Sequence, residues 1–88
     1  MGLLRYYNIR KEDIDRIEVQ LERPDSMGGI VIRVESVSID GRNIDSDSEN
    51  KISNKLVEDN KEFLKEYEVK DYISNILGIS TDFIYILG

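Results

Sequence analysis

Along residues 14–39 the apolar side chains recur at every second position, and from residue 52 onward they recur at every third or fourth. That change of period predicts strands followed by helices. In IDRIEVQLER, Ile17, Val19 and Leu21 fall on one face while Arg16, Glu18, Gln20 and Glu22 fall on the other, as in a half-buried strand. Pro24 ends it, because proline has no ladder donor, and DSMGG supplies a turn. The next run, IVIRVESVSI, puts Ile30, Ile32 and Val34 on one face but Val37 and Ile39 on the opposite parity. A bulge near Glu35 or Ser36 reconciles the two. Asp40-Gly41 is then a two-residue hairpin signal, with Arg42 to Ile44 as a short returning strand.

Ser46-Asp47-Ser48-Glu49 has the spacing of a capping box, in which the Ser46 hydroxyl accepts the Glu49 N–H and the Glu49 carboxylate accepts the Ser46 N–H. Both acids also suit the positive end of a helix. From Lys51 to Tyr67 an apolar stripe of Ile52, Leu56, Phe63 and Tyr67, widened by Val57 and Leu64, predicts the helix that this box opens. Asn60 falls inside the apolar arc, where an amide is expected to be hydrogen-bonded. Val69, Tyr72, Ile73, Ile76 and Leu77 would lie on the opposite side of the same cylinder, so a break near Glu68 is expected. A second helix over 69–77 follows, stopped by Gly78 in a left-handed cap. Phe83 to Leu87 reads as a terminal strand, and KEDI near the N-terminus as a short helical turn, with Leu3, Leu4, Tyr6 and Tyr7 seeking burial. The expected fold is α+β: a small antiparallel sheet of three to four strands, two C-terminal helices packed on it and a short terminal strand, all in one domain over 1–88.

The totals narrow the chemistry. The 88 residues contain no cysteine, so packing and backbone pairing must hold the fold without disulfides. No apolar run approaches the length of a bilayer span, no signal-peptide pattern opens the chain, and Tyr6 stands where a myristoylation site needs Ser or Thr. A cytoplasmic protein is expected. Eighteen acids against twelve bases give a net charge of −6, which opposes direct nucleic-acid binding and favours encounter with a basic partner.

Without His or Cys there is no imidazole base and no thiolate, and Met27-Gly28-Gly29 lacks the Lys-Ser/Thr of a phosphate loop. No enzymatic activity, cofactor or metal is expected. Asp45, Asp47 and Glu49 imitate the start of a calcium loop, but Asn50 replaces its glycine and Leu56 its final glutamate, so helix capping is the better reading of these acids. The stretch SIDGRNIDSDSEN nonetheless gathers Asp40, Asp45, Asp47 and Glu49 against one cation, Arg42. It is either a solvated connector or a set of carboxylates offered to the arginine forks of a DNA-reading partner.

Several pieces occur in a familiar order. EVQLERPDSMGGIVIRV, an Asp-Gly turn, SDSEN opening a helix, and KEYEVKDYISNI together resemble a small phage-encoded type II-A anti-CRISPR inhibitor over about two thirds of the chain. The resemblance implies a DNA mimic that binds the guide-loaded CRISPR effector nuclease and blocks the cleft where the protospacer-adjacent motif is read. It matches Asp40 and Gly41 to the family's projecting turn, and Glu66, Tyr67 and Glu68 to its second acidic element. This chain departs from the pattern at Arg42-Asn43, at Val69-Lys70 and at Arg16, where the family is more acidic. The expected partner-binding residues are therefore Asp40, Gly41, Asn43, Asp45, Asp47, Glu49, Glu66, Tyr67 and Glu68. Two rivals stand beside it: an immunity-type protein that uses the same negative charge to neutralise a basic nuclease, and a small structural module, a homodimer, in which the terminal strand Phe83 to Leu87 pairs with a copy of itself.

Overall fold

The computed structural model describes residues 2–23, 31–59 and 61–87. The turn expected around Pro24 and DSMGG, the start of the second run at Ile30, and the interior amide of Asn60 lie outside them. A four-residue helix α1 (Leu3–Tyr6) and a 3-10 turn (Lys11–Asp13) lead into strands β1 (Ile14–Glu22) and β2 (Arg33–Gly41). Helices α2 (Ser46–Glu58) and α3 (Glu66–Leu77) follow, and after a second 3-10 turn (Thr81–Phe83) the chain ends in β3 (Ile84–Leu87). The expected α+β class holds.

The sheet has the order β2-β1-β3 and is mixed. β1 and β2 are antiparallel, whereas β3 runs parallel to β1, with Ile84 beside Ile17 and Leu87 beside Gln20. An all-antiparallel sheet was expected. The third strand is parallel because α3 returns the chain to the end of the sheet at which β1 begins, so β3 must run the same way.

Between Gln20↔Ser36 and Leu21↔Val34 the register slips by one residue at Glu35, the bulge that the change of parity required. It lets Ile32, Val34, Val37 and Ile39 all be buried. They pack with Ile17, Val19 and Leu21 of β1, Ile52 and Leu56 of α2, and Val69, Ile73 and Leu77 of α3. The opposite sheet face carries Arg16, Glu18 and Asp40, joined by ion pairs.

Asp40-Gly41 is not a hairpin turn. Both residues belong to β2, opposite Arg16 and Ile14, and Arg42 extends the contact by donating its N–H to the Asp13 carbonyl at 2.7 Å. Gly41 is needed for closeness, since a Cβ there would strike the Asp13 carbonyl oxygen. The reversal falls at Asn43, which takes φ 58°, and Arg42 to Ile44 form no strand.

The first long helix ends at Glu58, earlier than the stripe suggested, and α3 begins at Glu66. Between them Phe63 exchanges both backbone hydrogen bonds with Ile32, at 2.8 and 2.9 Å, which pulls the connector into the sheet's plane. Phe63 is buried there, but Val57, Leu64 and Tyr67 are exposed, so the expected stripe does not extend over them. Gly78 caps α3 at φ 79° as expected. Leu4 is buried while Tyr6 stands 70% exposed.

Candidate partner-binding surface

Where β2 gives way to α2, local backbone chemistry fixes the acids. Asp45, not Ser46, is the N-cap: its carboxylate accepts from the Ser48 N–H and hydroxyl, both at 3.2 Å. Glu49 does not close a capping box. Its carboxylate reaches sideways to β2 and accepts the Ile39 N–H at 2.7 Å and the Ser38 hydroxyl at 3.3 Å. One turn on, the Ser53 hydroxyl accepts the Val37 N–H at 3.0 Å. A helical turn and two strand residues advance by nearly the same length, about 6 Å, which lets positions four apart on α2 meet positions two apart on β2.

The neighbouring acids are partly answered by this chain's own cations. Asp40 pairs with Arg16 at 3.2 Å, and Asp47 with Lys51 at 3.1 Å. The hydrogen bond to Asp40, and then the charge of Glu18, hold the Arg16 guanidinium above its usual pKa; the hydrogen bond to Asp47 raises the Lys51 ammonium. These are exposed pairs, so they compete weakly with a partner's arginines. Asp45, Asp47 and Glu49 do not form a metal-ligating group; none is found among the described residues.

The second acidic element lies elsewhere. Glu66 pairs with Arg23 at 2.7 Å, just past the end of β1, and Glu62 pairs with Arg33 at 2.8 Å. Glu68 caps its own helix by accepting from the N–H groups of Leu64 and Lys65. Tyr67 is 63% exposed. Asp40 and Gly41 stand at the Ile14 end of the sheet and Glu66 at the Glu22 end, and a nine-residue strand separates the two ends. At about 3.3 Å per residue that is roughly 25 to 30 Å. Asp40, Gly41, Asn43, Asp45, Asp47 and Glu49 are brought to one corner; Glu66, Tyr67 and Glu68 are not brought to it.

Sequence reasoning named the aromatic residues of the helical side singly but did not foresee the grooves that they line. A surface groove runs between α1, α2 and α3, with Leu3, Tyr6, Tyr7 and Ile76 in its wall, and a shallower one passes Leu64, Tyr67 and Tyr72. The Tyr72 hydroxyl donates to Asp59 at 2.7 Å, and Lys61 lies 5.1 Å from the centre of its ring. Tyr6 and Tyr7 belong to the first groove and Tyr67 and Tyr72 to the second, whose wall includes Phe63 of the connector that helical periodicity concealed.

No family model, no curated protein and no solved structure matches this chain. Among the described residues no helix is long and apolar enough to cross a membrane.

Proposed function

We propose that this chain is a non-enzymatic acidic binding protein that occupies the nucleic-acid-binding surface of a basic partner. The partner class implied by its resemblance is the guide-loaded CRISPR effector nuclease, blocked where the protospacer-adjacent motif is read. The observation that carries this reading is the corner between β2 and α2. Asp45 and Glu49 are locked in place by backbone donors, Asp47, with its side chain 72% exposed, lies in the same helical turn, and Asp40 follows the tied Ile39 on the outer face of the sheet, paired with Arg16. A carboxylate has more lone-pair sites than one neighbour uses, so each outward oxygen can still accept from a guanidinium. Because these anions are held before encounter, little ordering entropy opposes binding. The separation of Glu66 from this corner means that a partner touching both would need a footprint along the whole sheet.

Capture on an immobilised type II-A effector, with and without guide RNA, tests the reading. Retention of the wild-type chain that weakens with added salt is expected, together with at least a tenfold loss for Asp40→Lys with Asp47→Lys. Those side chains are exposed, so thermal stability should change by about 1 kcal/mol or less. Failure of the wild-type chain to bind, or full binding by the double variant, would overturn it.

A further inference from the structure

The two edges of the sheet are treated differently. Along β2 the donors at Val37 and Ile39 are taken by Ser53 and Glu49, and Ile32, just before the strand, is paired with Phe63. This edge is closed to another strand. β3 forms the other edge: the Ile84 N–H closes the preceding 3-10 turn by donating to the Thr81 carbonyl, and among the described residues no other hydrogen bond outside the ladder with β1 reaches Tyr85 to Leu87. It contains no charged residue, no proline and no bulge, the devices that keep an edge from pairing.

From this contrast we infer that β3 is a pairing edge whose occupant is the β3 strand of a second copy, running antiparallel about a two-fold axis at Tyr85. The alternation of the strand permits this register. Ile84 is buried and Ile86 partly so on the helical side, whereas Tyr85 and Leu87 are 49% and 40% exposed. With Tyr85 opposite its own copy, Ile84 faces Ile86 and Leu87 faces Phe83, so inward side chains meet inward ones across the new ladder. The chemistry of the strand favours a copy over a basic segment. β3 offers no counter-charge of its own, and Glu18, beside Tyr85 on the neighbouring strand, is already paired with Arg16 at 2.9 Å. An uncharged apolar strand meets its like without setting charges face to face. The contact is short, four residues in each copy, so the dimer is a concentration-dependent equilibrium and not an obligate one.

Sedimentation of the full chain across a concentration series tests the inference. Mass should rise from 10.2 kDa towards twice that value as concentration increases. Added salt should favour the dimer, because each copy carries a charge of −6 and screening relieves their repulsion. This is opposite to the effect expected for a basic partner, so the two proposals fail separately. Tyr85→Glu and Tyr85→Lys should each remain at the monomer mass with an unchanged circular dichroism spectrum, and an equimolar mixture of the two should dimerise. Leu87→Lys, at the strand's exposed end, should also weaken pairing. Ile84→Lys would be uninformative, because Ile84 is 1% exposed and belongs to the core. A wild-type chain that stays monomeric at all concentrations and salts overturns the inference, as does a Tyr85→Glu dimer or a mixture that does not pair.

Discussion

The Glu49 carboxylate, in the first turn of α2, accepts the Ile39 N–H at 2.7 Å and so ties a helix to the free edge of a strand. A charged acceptor on a half-buried backbone donor is among the stronger single hydrogen bonds, and losing it leaves that donor facing a helix that excludes much of the water. Glu49→Ala should cost about 1 to 2 kcal/mol, and Ser53→Ala about 1 kcal/mol. Urea unfolding would show this as a lower midpoint at unchanged slope. Were Glu49→Ala to lie within about 0.5 kcal/mol of wild type, the carboxylate would be a surface charge and not a tie.

Gly41 distinguishes a strand from a turn. In a two-residue hairpin turn, asparagine would replace this glycine at little cost, because it tolerates the left-handed conformation. Here Gly41 has no positive φ, and any Cβ meets the Asp13 carbonyl. Gly41→Ala and Gly41→Asn should therefore both destabilise, by about 1 to 3 kcal/mol. Tolerance of asparagine alone would restore the hairpin.

The strands, the Glu35 bulge, the Gly78 cap and the terminal strand were legible because each depends on neighbours in sequence. Val34 and Val37 fall on opposite parity within a single strand, and only an extra residue between them can bury both. What stayed hidden depends on distant partners. Nothing in Asp40-Gly41 announces that Asp13 will press against the glycine, and nothing in Glu49 announces that Ile39 will outbid the helix's own N-terminus. The candidate site suffered in the same way. Six of its residues are neighbours in sequence and share a corner, while Glu66 to Glu68 are carried to the far end by the Ile32–Phe63 clamp.

That clamp makes two adjacent residues behave oppositely. Phe63 is 6% exposed and its ring lies 5.2 Å from that of Tyr72, whereas Leu64 is 62% exposed. Phe63→Ala should cost about 3 to 5 kcal/mol, in the usual range for emptying a buried aromatic site, and Leu64→Ala less than about 0.5 kcal/mol. Chemical denaturation of both variants is the check. Comparable losses would mean that 61–65 continues the helix, as periodicity alone suggests.

Tyr72 gives the fold a dependence on strongly alkaline pH. Burial first, and then the hydrogen bond to Asp59, push its phenol from 10.0 up to about 12. A group whose pKa is higher in the folded state keeps its proton longer there than in the unfolded chain, so ionisation opposes folding. Its contribution is complete below pH 10 and is lost as pH rises from 10 to about 12. The full shift would amount to about 2.7 kcal/mol, but water around this half-buried group screens it to about 1 kcal/mol. Tyr72→Phe keeps the ring against Phe63 and removes the ionisation. Subtracting its stability profile from that of the wild type isolates the effect from lysine deprotonation in the same range. The difference should be level up to pH 10 and then fall by about 1 kcal/mol, while a phenolate absorbance step near pH 12 disappears in the variant. A difference that stays flat through this window would mean that the hydroxyl is solvated and the contact with Asp59 is not kept in solution.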